Sequence, residues 1–386
     1  MSLLGITIGI FAIISVFTLV DSLEKGLRDS VASLGDDVIF IEKWPWKNNS
    51  DTWWKYWQRP EPSVSDLRDL EARKLSGAEA MCFVAEGNRK VEYKSQSLNG
   101  VRIQAVSSGY PKVKLLNLEE GRIFSETEFK TGRRVVVIGH EIAKNLFNGR
   151  GCVGKTIKIG GLKAEIIGVF VKEGSNAFGN SLDEMVLIPV NFARAIANLK
   201  EAQCTIMVKA KIGVSNEELI DELMGAMRAI RRIRPKSEAD FALNESSLIN
   251  NQLDGLFSMM NIVGLVIGGL SMIVGGFSIA NIMFVSVKER TMLIGIQKSL
   301  GAKNYFILLQ FLFEAIFLCL VGGLLGLLFV WIFTLLGSLA MDTSIGLSIG
   351  NILIGIGSSI LIGLIAGVIP AWGAARLDPV EAIRSN

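Results

Sequence analysis

The chain has 386 residues, half of them hydrophobic and only 20% charged, with 40 glycines and a mean hydropathy of +0.41. That profile excludes a wholly soluble globular protein, and a formal net charge of +3 gives no overall basic field for nucleic acid. The chain is read as a membrane protein in which the placement of charge matters more than its total.

In chain order, Leu3 to Val20 carries no charge and is just long enough, at about 1.5 Å per residue, to cross a hydrocarbon core of about 30 Å. It lacks a basic leading segment and an Ala-x-Ala cleavage site, so it reads as a retained span and not a removed signal peptide. Leu23, Leu27, Val31 and Leu34 keep helical spacing, which carries this helix beyond the membrane. A strand is expected over 37–42. Trp44, Trp46, Trp53, Trp54 and Trp57 then gather five of the chain's seven tryptophans. Amphipathic rings suit a loop folded back on its own domain and equally a partner-facing or membrane-facing surface, and both readings stay open.

A helix is expected over 64–75, then short strands over 91–93, 101–106 and 134–138, a helix over 140–147, and strands over 156–159, 164–170, 185–189 and 205–209. An amphipathic helix over 216–231 presents Leu219, Leu223, Ala226 and Ile230 on one side. This is a mixed α/β domain large enough for its own core, with elements enough for two subdomains. Within it, Gly149-Arg-Gly-Cys-Val-Gly-Lys155-Thr156 spells a phosphate-cradling loop. Such a loop must follow a strand and open a helix, so that backbone N–H groups meet the phosphates. Here a helix precedes it and a strand follows, so no nucleotide is expected there.

Cys82, Cys152, Cys204 and Cys319 form no Cys-x-x-Cys pair; a disulfide among the first three and buried free thiols both remain open. The lone His140 cannot build a metal site. With no Ser/His/Asp set, metal cluster or convincing carboxylate pair, no catalytic, cofactor-binding or metal residue is assigned.

Three more spans follow: 256–287, 305–339 with Glu314 as its single ionisable group, and 349–375 with none. Gly264, Gly268, Gly269, Gly275 and Gly276 keep bulk low in the second span, which lets helices approach closely within one subunit or between two. The connector over 288–304 holds Lys288, Arg290, Lys298 and Lys303, the tail adds Arg376 and Arg384, and the loop near Asp342 has no basic residue. The bias of Lys and Arg in short loops places the connector and both termini in the cytoplasm and the inserted domain outside it.

The fold class is an α-helical membrane domain of four transmembrane helices with a large mixed α/β extracytoplasmic domain inserted between helices 1 and 2. Its divisions are a span with outer stalk over 1–35, the α/β domain over 36–243, a stalk and second span over 244–287, and the connector over 288–304. A third span over 305–339, an outer loop over 340–348, a fourth span over 349–375 and a tail over 376–386 complete it.

The stretch Asn281-Ile-Met-Phe-Val-Ser-Val-Lys-Glu-Arg-Thr, followed by Ile294-Gly-Ile-Gln-Lys-Ser-Leu-Gly-Ala302, resembles the signature of FtsX-like ABC-transporter permeases, most closely the MacB type. Leu309-Gln-Phe-Leu-Phe-Glu-Ala315 with Gly322-Gly-Leu-Leu-Gly326 is similar to the family's third span. Pro370-Ala-Trp-Gly-Ala-Ala-Arg-Leu-Asp-Pro-Val-Glu-Ala-Ile-Arg384 is similar to its tail, and Val153-Gly-Lys-Thr-Ile-Lys158 to an ordinary part of its extracytoplasmic domain.

The resemblance implies a permease in a bacterial inner membrane, working as a dimer with a second copy or a close paralogue and with cytoplasmic ABC ATPase subunits. ATP and magnesium would be bound by that ATPase, and motion relayed to the outer domain would act on cargo or on a periplasmic adaptor. Lys288, Glu289, Arg290, Thr291, Gly295, Lys298, Gly301 and Ala302 are the implied ATPase-coupling segment. Members of the same family also activate envelope hydrolases or release lipoproteins, and the sequence does not choose among these cargoes. Two departures stand out. Met292-Leu293 and Gln297 replace charged residues usual in the family, and the basic amphipathic helix that usually precedes the first span has no counterpart before Met1-Ser-Leu-Leu-Gly-Ile, as a truncated or misplaced start would explain.

Overall fold

The computed structural model describes residues 2–32, 34–47, 53–147, 151–174, 181–196, 198–199, 202–341 and 346–384. In chain order they form α1 (Ser2–Ala32), β1 (Val38–Glu42), α2 (Trp53–Trp57), α3 (Val64–Arg73), β2 (Ala78–Tyr93), β3 (Gln96–Val106), α4 (Tyr110–Val113), β4 (Leu118–Gly121) and α5 (Glu126–Thr131). Next come β5 (Val135–Ile138), α6 (His140–Phe147), β6 (Thr156–Ile159), β7 (Leu162–Phe170), β8 (Met185–Pro189), α7 (Val190–Ile196), β9 (Gln203–Ala210), α8 (Asn216–Ile230) and β10 (Ala242–Glu245). The C-terminal part is helical: α9 (Ser246–Glu289), α10 (Thr291–Ser299), α11 (Asn304–Met341), α12 (Ile349–Ala375) and α13 (Pro379–Arg384).

The chain divides into two compact units, residues 26–252 and residues 1–25 with 253–386. Both boundaries fall inside a helix, α1 and α9.

In the α/β unit the strands form one sheet in the order β10-β1-β9-β2-β3-β8-β5-β7-β4, with β6 pairing β2 and β7. Sequence patterning leaves room for two subdomains, but this sheet is continuous. Both faces are buried. Ile39, Phe83, Val136, Val186 and Ile206 enter one core with α3, α6, α7 and α8. Val38, Phe40, Val84, Val137 and Met207 enter the other, with Tyr110 of α4 and Phe129 of α5. Burial on both sides makes strands such as Val135-Val-Val-Ile138 continuous apolar runs without alternation.

Helix ends follow local chemistry. Ser63 and Ser125 each cap a helix while the carboxylate three residues on, Asp66 or Glu128, bonds back to the cap backbone.

In the helical unit, α1, α9, α11 and α12 are each long and apolar enough to cross a membrane. Ile6, Ile10 and Ile14 of α1 lie in its core with Ile279, Phe311, Ala315 and Ile362. Small residues set the approach. A side chain at Gly322 or Gly326 of α11 would run into Ile6 or the backbone of Thr7, and one at Gly363 of α12 into the backbone of Ile316. Of the second-span glycines, Gly264, Gly268 and Gly275 face α1 and Gly276 faces Ile362 and Ala366, so close packing within one chain accounts for them; Gly269 faces open space. Asn351 of α12 is buried and donates to Asp21 of α1 at 2.8 Å.

Candidate coupling site

The connector is a helix, not a polar loop. α9 ends at Glu289, Arg290 leaves helical geometry with φ −99° and ψ 10°, and α10 begins at Thr291. Arg290 donates from Nη1 to Glu314 Oε2 of α11 at 3.2 Å, giving the lone carboxylate of that helix a cation. Thr291 Oγ1 donates back to the carbonyls of Val287 at 3.0 Å and Lys288 at 2.9 Å, which closes the end of α9.

The other end of α10 closes on Gly301, at φ +99°. Its N–H donates to Lys298 O and the Ala302 N–H to Gln297 O, both at 3.0 Å. This pair of bonds requires a left-handed residue, which glycine supplies without steric cost.

The buried side of α10 rests on the end of the chain. Ile294 and Gly295 are buried, and a Cβ on Gly295 would stand 2.9 Å from Ala382 Cβ and 3.0 Å from Ile383 Cγ1 of α13. Lys298 Nζ donates to the carbonyls of Ala375 at 2.7 Å and Leu377 at 2.8 Å. Those carbonyls close α12, where the helix dipole is negative and a cation is favoured.

The outer side of α10 is apolar and exposed, carrying Met292, Leu293, Ile296 and Leu300, the last 84% accessible. Lys288, Glu289 and Lys303 are exposed around it. Of the eight residues the resemblance singles out, Gly295 and Lys298 turn inward, Thr291 bonds back to the end of α9, Gly301 and Ala302 form the closing turn, and Lys288, Glu289 and Arg290 stay at the surface.

Sequence reasoning missed the folding back of residues 379–384 onto this helix. The signal was there: Asp378 precedes Pro379, and Asp378 Oδ1 accepts from Val380 N at 2.8 Å. An acidic cap followed by proline at the first helical position marks a helix start.

The tryptophan stretch turns partly inward. Trp46 Nε1 donates to Glu42 Oε2 at 2.7 Å and its ring lies 5.0 Å from Phe40. Trp44 meets Tyr56 and Trp57 edge to face at 6.1 and 6.4 Å. Trp54 and Trp57 remain 54% and 67% exposed. The side chain of Trp53 lies outside the described residues.

Of the phosphate-loop look-alike, Gly149 and Arg150 lie outside the described residues. β6 follows directly after Lys155, whose ammonium lies 5.1 Å from the Phe147 ring centroid. His140 Nδ1 hydrogen-bonds Glu119 Oε2 at 2.9 Å. The four cysteines are buried free thiols, and burial pushes Cys204 up to about 12 and Cys82 higher still. Among the described residues no group of three or more His, Cys, Asp or Glu is placed to hold a metal.

Among the described residues, four membrane-length helices, an α/β insertion and a helical connector packed against α13 define a multi-pass membrane protein. Residues 1–226 match the MacB-like periplasmic core domain and residues 265–379 the FtsX-like permease C-terminal domain. The chain belongs to the MacB-like ABC transporter permease family.

It is similar to the macrolide export ATP-binding/permease protein MacB of Bdellovibrio bacteriovorus, 29% identical over 385 residues, covering 100% of this chain and 59% of that protein. It is 32% identical over 394 residues to MacB 2 of Aeromonas hydrophila, covering 99% of this chain and 57% of that protein. The chain thus spans under three fifths of these relatives. Among solved structures, the periplasmic region of MacB from Actinobacillus actinomycetemcomitans is 17% identical with a TM-score of 0.47, covering 60% of this chain and 98% of that one. Four membrane-length helices and a domain of the periplasmic core type fit an inner membrane protein.

Proposed function

We propose that the chain is the permease part of an ABC system, in which α10 receives motion from a cytoplasmic ATPase and the membrane helices relay it to the α/β unit, which acts on cargo or partners outside. ATP and magnesium belong to the ATPase, a separate partner subunit. The observation that carries this reading is the construction of α10. Its inner side is fixed by Lys298 and α13, while Met292, Leu293, Ile296 and Leu300 present an apolar face of one short helix. An apolar helix face laid into a groove is a common mode of protein recognition. The replacement of charged residues by Met292 and Leu293 makes this contact more apolar than the family pattern implies.

The relay is supported by chain continuity: α9 follows β10 without a break and runs into its membrane-length stretch, and α1 continues to Ala32, a few residues before β1. Two copies, or one copy with a close paralogue, would present paired coupling helices to paired ATPases. The names of the relatives, macrolide export proteins, favour export as the process; a periplasmic adaptor is a further partner of this proposed system.

The test is reconstitution in lipid with the partner ATPase. Met292→Asp with Leu293→Asp should abolish stimulation of ATP turnover without altering membrane insertion. ATP hydrolysis by the purified chain alone, or undiminished coupling in the double variant, would overturn the reading.

A further inference from the structure

A cavity of about 660 Å³ opens on the Phe40 side of the sheet, over β1, β9, β2 and β3. Its apolar floor comprises Phe40, Val84, Met185 and Met207, with the Trp46 ring tilted against Phe40. Across this floor runs a polar row. Thr205 Oγ1, Trp46 Nε1 and Asn244 Nδ2 donate to Glu42 at 2.9, 2.7 and 3.1 Å. Gln104 Nε2 donates to Glu86 Oε1 at 2.8 Å, and Tyr110 Oη donates to Gln104 Oε1 at 2.9 Å.

Every one of the three donors on Glu42 is neutral. They orient the carboxylate without cancelling its charge, and they fill three of its roughly four acceptor positions. Burial pushes the Glu42 carboxyl above its ordinary value, the response of an anion held away from water without a cation. Concave sites with apolar walls and a few convergent polar groups are where small molecules bind.

The cations facing the cavity are placed differently. Lys43 Nζ lies 3.9 Å from Glu61 and also faces the Trp44 and Trp57 rings. Burial lowers the pKa of half-buried Lys114 against the opposing charges of Glu173 and Glu86, which it answers. Arg102 stands opposite Asn88, one pleat beyond the Gln104–Glu86 pair.

We propose that this cavity binds an organic cation, a primary or secondary ammonium ion on an apolar body. The ammonium donates to Glu42, and the body covers Phe40, Met185 and Met207 beside the Trp46 ring. An ammonium near an indole gains a cation–π contribution as well as the charge-assisted hydrogen bond. The site lies wholly in the α/β unit and does not rest on the role of α10, so it is measured without any ATPase.

The experiment titrates the full chain in lipid nanodiscs with 2-phenylethylamine, the neutral 2-phenylethanol and the anionic 3-phenylpropanoate, read by saturation-transfer NMR against empty nanodiscs. The amine should bind saturably, and the other two at least about tenfold more weakly. Glu42→Gln should weaken the amine about tenfold, the scale of one charge-assisted bond, while Asp69→Asn on the exposed side of α3 leaves it unchanged. Gln203→Trp, at the exposed rim, should abolish binding with the near-ultraviolet circular dichroism intact, and it decides the matter if Glu42→Gln misfolds. Equal binding of the three probes, tighter binding of the anion, amine binding no greater than to empty nanodiscs, or amine binding undiminished in Gln203→Trp would overturn the proposal.

Discussion

Gly295 and Gly301 are both glycines of the connector, and they are glycine for different reasons. A side chain at Gly295 collides with Ala382 and Ile383, so Gly295→Val should lift α13 from α10 and uncouple partner ATP turnover while membrane insertion stays normal. Gly301 has open space around its missing Cβ but sits at φ +99°, so Gly301→Ala should cost about 1 kcal/mol through the backbone, and Gly301→Asn less. Thermal unfolding and coupled ATPase assays separate the two effects. The resemblance picks out both residues, but the reason for Gly295 was invisible because its neighbours, Ala382 and Ile383, lie beyond two intervening membrane-length helices in the sequence. Glu128 gives a pH prediction of known sign. Chiefly its two 2.8 Å bonds from Arg122, helped by Ser125, pull its carboxyl from 4.5 down to about 2. A depressed carboxyl contributes stability that is full above about 4.5 and is lost as the pH falls toward about 2. Glu128→Gln should flatten that part of a stability–pH profile and cost about 1–2 kcal/mol at neutral pH, a modest value because Arg122 is half exposed.

At the scale of elements, α10 is a short helix held on its inner side by α13 and, through Lys298, by the end of α12. Lys298→Met keeps the aliphatic stem but removes both bonds to the α12 carbonyls, at a cost of about 1–3 kcal/mol. Hydrogen exchange should then speed up in α10 and α13 while α11 keeps its protection; unchanged exchange in α10 would mean the ammonium is not what holds it. The long elements were legible because uninterrupted apolar runs have few alternatives. α10 was not, since nine residues with exposed Met292, Leu293 and Ile296 look neither like a span nor like an amphipathic helix of a soluble core. β2 was read only at Val91–Tyr93 although it starts at Ala78, because Cys82 to Ala85 is buried on both faces and its middle, Glu86-Gly-Asn-Arg-Lys, has the composition of a turn. β4 and β10, four residues each, left no periodicity to read.

For the whole molecule, four apolar helices around a large insertion were readable from hydropathy alone, whereas the cavity over the sheet was not. Glu42, Glu86 and Gln104 come together only through strand pairing between distant segments. Orientation is predicted from charge: a cysteine placed at Lys303 should react with a membrane-impermeant thiol reagent only from the cytoplasmic side, and labelling from the outside would reverse the topology. One feature of α10 also sets an order of events in biosynthesis. Chains are made from the N-terminus, so α10 leaves the ribosome well before the segment that covers it. Until α12 has been inserted and α13 has emerged, Gly295 has no cover and Lys298 has no carbonyls to hold. The proposed docking helix is therefore completed only by residues made well after it, and a chain halted before α12 cannot present it in finished form.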